Sequence, residues 1–270
     1  MSRHATPVRS RLSASQVLGE LLLTVGVLLL LFAFYEAYWT NLNSARLQSQ
    51  ADEQLAERWG EDDSGERVNP RQKLTPELGE AFARMYIPSF GSDFQFAIVE
   101  GTEDADLMAG PGRYTTTQMP GEAGNFAVAG HRVGKGAPFN DLDNLEVCDA
   151  IVVETSTEWV TYRILPIDSD GDARRAEAAE CLTPEQAERV TTGDYAGVLG
   201  RHITLPGHIE VISPVPGGPE AAPTDGLEGL ITLTTCHPQF SNAERMIVHA
   251  MEVESTPKIP GQRPAVLEET

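Results

Sequence analysis

Positive charge is what this sequence lacks most. Its 270 residues contain 20 lysines and arginines against 40 aspartates and glutamates, which gives a formal net charge of −20 at pH 7. Proteins that bind nucleic acids need a basic surface that neutralises phosphates. The composition therefore excludes nucleic acid as an expected partner, and it is typical of a soluble body outside the cytoplasm.

Cysteine is scarce as well, with only Cys148, Cys181 and Cys236. The sequence has no C-x-x-C motif and no closely spaced pair of histidines, so it offers no zinc-binding pattern. We predict neither a metal nor a cofactor, and a dependence on calcium is left open. In an oxidising compartment, an odd number of cysteines indicates one disulfide bond and one remaining thiol.

Long apolar runs are few. The segment Val17 to Trp39 reads VLGELLLTVGVLLLLFAFYEAYW, and at about 1.5 Å per residue it can cross a hydrocarbon core of about 30 Å. A cleaved signal peptide is the alternative, but the bulky aromatic residues at the end of this run suit a membrane interface better than a cleavage site. We predict a transmembrane anchor over residues 17–39. Residues 1–16 carry only basic charges, so we expect a cytoplasmic arm with the rest of the chain outside; these charges are Arg3, Arg9 and Arg11.

The remaining chain divides into three parts by composition. Residues 40–82 are predicted to form a membrane-proximal stalk helix and a flexible linker, and residues 255–270 a disordered tail. Residues 83–254 form the globular part, whose short β-branched and aromatic runs indicate an all-β barrel or sandwich. The predicted strands are FQFAIVEG, NFAVAGHR, AIVVET, EWVTYRIL, IEVISPV, GLITLTTC and RMIVHAMEV.

Two local arrangements in the globular part lead to specific predictions. AIVVET and EWVTYRIL are joined across Ser156 and Thr157 and are predicted to form a hairpin. TPEQAERVTTG, opened by Thr183, has the pattern of a capped helix. Cys148 and Cys181 lie at the edges of a predicted strand and of this helix, so we predict a disulfide bond that tethers the long segment between strands.

Three residues that can do chemistry lie at predicted strand ends. The strand GLITLTTC ends on Cys236, a loop follows, and the next strand begins near Arg245, while another strand ends just before His131. Taken singly, these residues have ordinary structural explanations: a small buried cysteine, a solvated histidine and a surface arginine. Their coincidence at strand ends, where loops often carry chemistry, favours a catalytic thiol.

These residues resemble the sortase family. The family pattern T-L-x-T-C is met by residues 232–236, the step of nine residues from Cys236 to Arg245 matches, and so does the AGH tripeptide that ends at His131. Longer phrases resemble class E sortases of actinobacteria, among them YIPSFG, GPGRY, PGEAGNFAVAGHR and TTCHPQFSNAERMIVHA. The resemblance implies a sortase-type eight-stranded β-barrel with short helices, preceded here by the transmembrane helix.

The resemblance also implies an activity. Sortases cleave a C-terminal sorting signal between threonine and glycine through a thioacyl enzyme, and transfer the surface protein that bears the signal to an amine of a cell-wall precursor. Cys236 would be the nucleophile, His131 the proton carrier and Arg245 the clamp on the oxyanion or substrate, with positive charge from the latter two favouring the thiolate. Class E resemblance further implies a preference for Leu-Ala-x-Thr-Gly over the proline-containing signal, with Tyr114 and Thr235 as candidate substrate contacts.

Other functions stay open beside this one. The segment from Leu165 to Gly207 is longer than usual for the family and borders the substrate groove in sortases, so the details of peptide selectivity are not implied by the resemblance. A pilus-type sortase that polymerises pilin subunits is the nearer alternative, and a non-catalytic wall-associated binding module is the more distant one. A papain-like peptidase is disfavoured because its cysteine precedes its histidine, whereas His131 precedes Cys236 here.

Overall fold

The apolar run near the N-terminus forms a helix. The computed structural model describes residues 13–62, 75–167, 171–220 and 224–268, so most of the predicted cytoplasmic arm lies outside the described residues. Helix α1 covers Ala14–Phe34 and begins with a capping box between Ser13 and Gln16. None of its residues is buried against the rest of the protein. Within the described ranges it is the one helix long and apolar enough to cross a membrane, so it fits an anchor.

A second helix continues directly from the first. A π-helical turn at Tyr35–Trp39 joins α1 to α2, which covers Thr40–Asp62. Leu55 of α2 is fully buried against the outside of the first two strands of the sheet. The predicted helix is therefore present, but it lies against the domain and is not a free stalk. Of the predicted linker, residues 63–74 lie outside the described part of the chain.

Nine strands form a single sheet in the described residues. They are β1 (Ala81–Tyr86), β2 (Gln95–Glu100), β3 (Gly112–Arg113), β4 (Gly124–Ala129), β5 (Ala150–Glu154), β6 (Glu158–Ile164), β7 (Arg201–Thr204), β8 (Gly229–His237) and β9 (Glu244–Pro257). Three short helices accompany them: α3 (Asp104–Ala109), α4 (Gly171–Cys181) and α5 (Pro184–Thr191).

Eight of these strands close into a barrel. Their order is β6-β5-β1-β2-β3-β4-β8-β9, and the ring closes because β9 pairs with β6 as well as with β8. Strand β7 lies outside the ring and pairs with β9 beyond the end of β6. The closed barrel is the architecture that the resemblance implied. The predicted hairpin is confirmed as β5 and β6, with Ala150 opposite Arg163.

The barrel interior is filled by alternate residues of its strands. Because successive side chains of a strand point to opposite faces, Ile231 and Leu233 of β8 enter the core together with Phe126 and Val128 of β4. The residues between them on β8 point to the outer face. This alternation decides which side chains of β8 can meet a substrate.

The long connection between β6 and β8 packs on the outside of the barrel. Thr183 caps α5 as predicted, since its hydroxyl accepts the N–H of Gln186. Cys148 and Cys181 form a disulfide bond with their Cα atoms 5.7 Å apart, which ties α4 to the start of β5. The predicted strand IEVISPV is wrong, because Ile209–Ile212 form a 3-10 helix. The Ser213 carbonyl accepts a hydrogen bond from the side-chain amide of Asn125 instead of from a strand, and no neighbouring strand pairs with this segment.

The C-terminal segment is ordered further than the sequence predicted. Strand β9 continues to Pro257, and Ala265–Glu268 form a 3-10 helix. Val266 of this helix is buried beside Tyr86 and Trp159 on the outside of the barrel. Regular structure therefore continues into the predicted tail at residues 255–257 and 265–268, where an apolar side chain in a polar segment finds a hydrophobic surface to cover.

Candidate active site

Three strand ends bring Cys236, Arg245 and His131 to the same end of the barrel. Cys236 of β8 is directly opposite Arg245 of β9 in the antiparallel register. Strand β4 runs parallel to β8 on its other side, with Ala129 beside Thr234. His131 follows the end of β4 by two residues, so it emerges at the level of Cys236. Residues more than a hundred positions apart in the chain therefore become neighbours.

Cys236 is half-buried on the outer face of β8. Its sulfur is the free thiol among the described cysteines, because the other two form the disulfide bond. Side chains that are directly opposite in an antiparallel pair share a face, so Cys236 and Arg245 project from the same face of the sheet at neighbouring positions. An accessible thiol next to a permanent cation is suited to nucleophilic attack.

The loop that carries His131 is anchored to β8 by backbone contacts. The Gly130 N–H donates to the Thr234 carbonyl at 3.0 Å, and the Thr235 hydroxyl donates to the Gly130 carbonyl at 2.8 Å. Phe139 packs so closely on Gly130 that a Cβ atom there would lie 2.5 Å from its ring. Glycine is thus required at the position before His131, and the imidazole is set at a fixed place next to the end of β8.

The imidazole of His131 is half-buried, and its Nε2 atom has no hydrogen-bond partner within the part of the chain that the structure describes. Burial lowers the pKa of His131 below its ordinary value, the charge of Lys135 lowers it further, and Asp104 opposes this shift. The neutral ring is therefore favoured in the resting protein. A neutral imidazole is able to accept a proton, and the expectation that a charged His131 favours the thiolate stays a prediction.

Arg245 is oriented by the loop between β8 and β9. Its Nη1 atom donates to the carbonyls of Asn242 and Glu244 at 3.0 and 2.9 Å. A guanidinium carries five N–H donors, so further donors remain for a substrate carbonyl or an oxyanion. Within the described ranges the hydrogen bonds of the Arg245 side chain go to these two carbonyls and to no carboxylate. The arrangement therefore suits an anion that forms only during a reaction.

The two predicted substrate contacts have different surroundings. The hydroxyl of Tyr114 lies 2.9 Å from Oγ1 of Thr234, two residues before Cys236 on the same outer face of β8. Thr235 is 3% exposed and its side chain points away from the thiol. The alternation of β8 places Thr235 on the same side as Leu233, where its hydroxyl donates to the Gly130 carbonyl, and a contact of Thr235 with substrate stays a prediction.

A cavity of about 270 Å³ lies on the outer face beside this site. Thr204 lines it and is opposite Arg245 in the pairing of β7 with β9, so the cavity reaches the β7 position next to Arg245, although Cys236, His131 and Arg245 themselves do not line it. Its other polar lining residues are His202, His208, Glu210 and His249. His249 lies at its base and is held by the Thr232 hydroxyl at 2.8 Å. Among the described residues, no group of His, Cys, Asp and Glu could hold a metal ion.

Sequence reasoning missed a second row of residues behind the site. Arg132 follows His131, His237 follows Cys236, and the two side chains meet, with Nη1 of Arg132 2.7 Å from Nδ1 of His237. The alternation of side chains could have indicated this pair. If His131 and Cys236 share one face of the sheet, the residues that follow them, Arg132 and His237, are expected on the opposite face.

Comparison with known proteins decides the family. The sortase domain family matches residues 85–253 of the chain. The chain belongs to the sortase family. It is 31% identical over 261 residues to sortase SrtE1 of Streptomyces coelicolor, an alignment that covers 94% of the chain and 61% of the length of SrtE1.

Solved structures of sortases have the same fold. The SrtF sortase from Corynebacterium diphtheriae is 69% identical, with a TM-score of 0.73. The match covers 76% of this chain and 100% of the SrtF chain. Sortase E from Streptomyces avermitilis is 31% identical, with a TM-score of 0.51, covering 71% of this chain and 99% of that one. The resemblance to class E sortases and the closed eight-stranded barrel, both predicted from the sequence, are confirmed.

Proposed function

We propose that this sortase is a membrane-anchored, outward-facing cysteine transpeptidase that cleaves a C-terminal sorting signal between threonine and glycine and transfers the acyl part to an amine of a cell-wall precursor. The observation that supports it best is the register of β8 with β9 and β4. This register gathers an unpaired, half-exposed thiol, an imidazole with a free ring nitrogen and a guanidinium without a carboxylate at one end of the barrel.

In this proposal, the first half-reaction forms the thioacyl enzyme. The sulfur of Cys236 attacks the threonine carbonyl carbon while neutral His131 accepts the thiol proton. Arg245 donates hydrogen bonds to the oxyanion of the tetrahedral intermediate. When the C–N bond breaks, His131 passes the proton to the nitrogen of the departing glycine. The imidazole is then neutral again, and the acyl group is held on sulfur as a thioester.

The second half-reaction reverses the proton path. An incoming amine attacks the thioester carbon, and His131 accepts a proton from that amine as the new amide bond forms. The C–S bond breaks, and His131 returns the proton to the sulfur of Cys236. No external oxidant or cofactor is needed, because each proton taken up by His131 is handed back within the cycle.

The signal preference is part of the proposal. Tyr114 and Thr234 line the outer face next to Cys236 and are joined by a hydrogen bond. We propose that Tyr114 contacts the second residue of the signal and favours Leu-Ala-x-Thr-Gly over the proline form. The clients would be surface proteins that bear such a signal.

The membrane arrangement completes the proposal. Helix α1 fits an anchor, and the basic residues before it favour a cytoplasmic N-terminus. The barrel would then face outward, where wall precursors are available. An accessibility test with a membrane-impermeant label on whole cells decides this topology, and labelling only after lysis would contradict it.

The activity is tested with the full chain in detergent micelles or nanodiscs. The enzyme is mixed with a Leu-Ala-x-Thr-Gly peptide, or its Leu-Pro counterpart, with and without a small amine, and analysed by mass spectrometry. We expect a thioacyl adduct on Cys236, a transpeptidation product with the amine, and neither from Cys236→Ala. Product from that variant would refute the assignment, and peptide binding without turnover by the wild type would identify a binding module instead.

A further inference from the structure

The three proposed catalytic residues each have a sequence neighbour in a second cluster. Arg132 follows His131, His237 follows Cys236, and Glu244 precedes Arg245. These neighbours are linked to one another. Arg132 Nη1 lies 2.7 Å from His237 Nδ1, and His237 Nε2 lies 4.0 Å from Glu244 Oε2. His237 and Glu244 are also directly opposite each other in the pairing of β8 with β9.

Arg132 is the buried centre of this cluster. Its side chain is 4% exposed, and its Nη2 atom donates to Asp143 Oδ2 at 2.9 Å. Its Nη1 atom also lies 4.0 Å from the sulfur of Met246 on β9. Removal of one partner of a buried guanidinium strongly destabilises the folded protein. The cluster therefore holds the loop after β4, the end of β8 and the start of β9 in one arrangement.

The contact with Arg132 determines which ring nitrogen of His237 carries the proton in the neutral imidazole. A guanidinium can only donate hydrogen bonds, so Nδ1 of His237 must accept and carries no proton. The ring proton then lies on Nε2, on the side of Glu244. The groups that face this imidazole are Arg132 on the loop after β4 and Glu244 on β9. A tautomer set in this way is a measurable consequence of the contact.

We propose that Asp143, Arg132, His237 and Glu244 form a chain of positioning residues behind the active site. The contact of Asp143 with Arg132 holds the loop after β4. The contact of Arg132 with His237 joins that loop to the end of β8, and His237 faces Glu244 at the start of β9, so the chain sets the spacing of imidazole, thiol and guanidinium without touching the substrate. The proposal rests on the proposed function for its kinetic consequence. Its structural consequence, the tautomer of His237, is independent of any turnover.

The kinetic consequence is a loss of rate with little loss of substrate binding. A misplacement of reacting groups by about 1 Å can cost about a hundredfold in rate. His237→Leu removes the acceptor for Arg132, and we expect it to slow formation of the thioacyl enzyme by about ten- to a hundredfold, with KM changed by less than about threefold. His237→Asn places an amide oxygen close to the position of Nδ1, and we expect it to restore most of that rate.

The experiment compares these variants in the full chain with Phe240→Leu as the matched control, because Phe240 lies in the same loop and its side chain is 88% exposed. Single-turnover acylation, KM, thermal unfolding and the alkylation rate of Cys236 by iodoacetamide are measured for each. Wild-type acylation by a folded His237→Leu variant, or equal losses in the Leu and Asn variants, would overturn the proposal.

Nitrogen-15 NMR of histidine-labelled protein gives the readout that does not need activity. We expect the Nε2–H tautomer of His237 in the wild type and loss of this bias in Arg132→Met. A proton on Nδ1 of the wild type at neutral pH would refute the chain directly. If the wild type forms no thioacyl enzyme, the proposed function fails, and the tautomer still decides whether the chain exists.

Discussion

Cys236 and Arg245 are directly opposite each other on β8 and β9, so the thiol and the guanidinium occupy the same face at the same height of the barrel. The carbonyls of Asn242 and Glu244 hold Nη1 of Arg245, which leaves the other N–H donors of the guanidinium available. This relationship makes the shape of the arginine side chain, as well as its charge, important for the proposed reaction.

Replacing Arg245 with lysine is therefore expected to remove most of the activity. An ammonium keeps the charge but cannot bond the two loop carbonyls and an oxyanion at once, and loss of one oxyanion donor typically costs about 10²- to 10³-fold in kcat. We expect Arg245→Lys to stay folded by circular dichroism. Arg263→Lys, which alters a cation packed on Tyr86 away from the site, is the control. Near wild-type turnover by Arg245→Lys would rule out the clamp.

The charges around His131 predict a matched pair of pH shifts. Lys135 lowers the pKa of His131 and Asp104 raises it. We expect Lys135→Gln to raise the pKa of His131 and Asp104→Asn to lower it, and the limb of kcat/KM that depends on this imidazole to move to higher and lower pH respectively. NMR titration of the imidazole measures the same shifts without substrate. A shift of the His131 pKa in the same direction in both variants would contradict the opposite effects assigned to Lys135 and Asp104.

The disulfide bond between Cys148 and Cys181 is expected to stabilise the domain without taking part in the chemistry. Its sequence separation of 33 residues corresponds to about 3–4 kcal/mol of loop-closure entropy in the unfolded chain. In a Cys236→Ala background, reductant can act only on this bridge. We predict that reduction there lowers the free energy of unfolding by an amount of that order, as measured in urea. Two free thiols in the oxidised protein by mass spectrometry would disprove the bridge.

His249 is expected to make the fold sensitive to mild acid. It is 1% exposed, and its Nδ1–H donates to the Thr232 hydroxyl oxygen, whose own proton goes to Asn125 Oδ1. Burial together with the neighbouring His202 lowers the pKa of His249 from 6.5 to about 3. Between these values the unfolded chain binds a proton that the folded chain does not, so stability falls as pH decreases below 6.5. Each pH unit costs about 1.4 kcal/mol.

The measurement is urea unfolding at pH 7 and pH 5. We expect the wild type to lose about 2 kcal/mol from this group over that interval, and His202, whose pKa is also lowered by burial, to add in the same direction. His249→Gln should lose less stability between the two pH values than the wild type does. The same loss in both proteins would show that another group controls the acid response.

Tyr114 is expected to influence which signal is preferred. Its hydroxyl bonds Thr234 at 2.9 Å, and a hydrogen bond of this kind is worth about 1 kcal/mol. We predict that Tyr114→Phe lowers the ratio of kcat/KM for the alanine signal over the proline signal severalfold, and that it lowers the free energy of unfolding by about the same 1 kcal/mol. Thr234→Val removes the same bond from the other side and is the paired variant. An unchanged ratio in both would remove Tyr114 from the selectivity proposal.

Local patterns in the sequence were sufficient for the strands that carry the site. The runs that became β8 and β9 alternate clearly, and the short loop between them predicted that Cys236 and Arg245 meet. The position of His131 could not be obtained this way, because the pairing of β4 with β8 joins segments about a hundred residues apart, and alternation says nothing about which strands pair. Only the resemblance to sortases implied it.

Other errors have equally physical causes. Strand β3 has two residues, Gly112 and Arg113, too few for any periodic pattern. IEVISPV has the composition of a strand but crosses the outer face of the barrel, where the Asn125 side chain takes the backbone contact that a strand would have made. The side of β8 on which Thr235 lies could have been predicted, because a residue two positions from buried Leu233 points into the same interior.

The unbroken passage from α1 into α2 determines how far from the lipid the enzyme can work. Asn41 Oδ1 accepts the Gly136 N–H and Gln48 Nε2 donates to the Lys135 carbonyl, both at 3.4 Å, so the loop after His131 rests on the first turns of α2. Trp39 and Gln48 are about 14 Å apart along a helix. With α1 in the bilayer as proposed, the loop after His131 is held about 14 Å of helix beyond the end of the anchor. Clients and acceptors still embedded in the bilayer would then be in range, and bonds held far out in the wall would not.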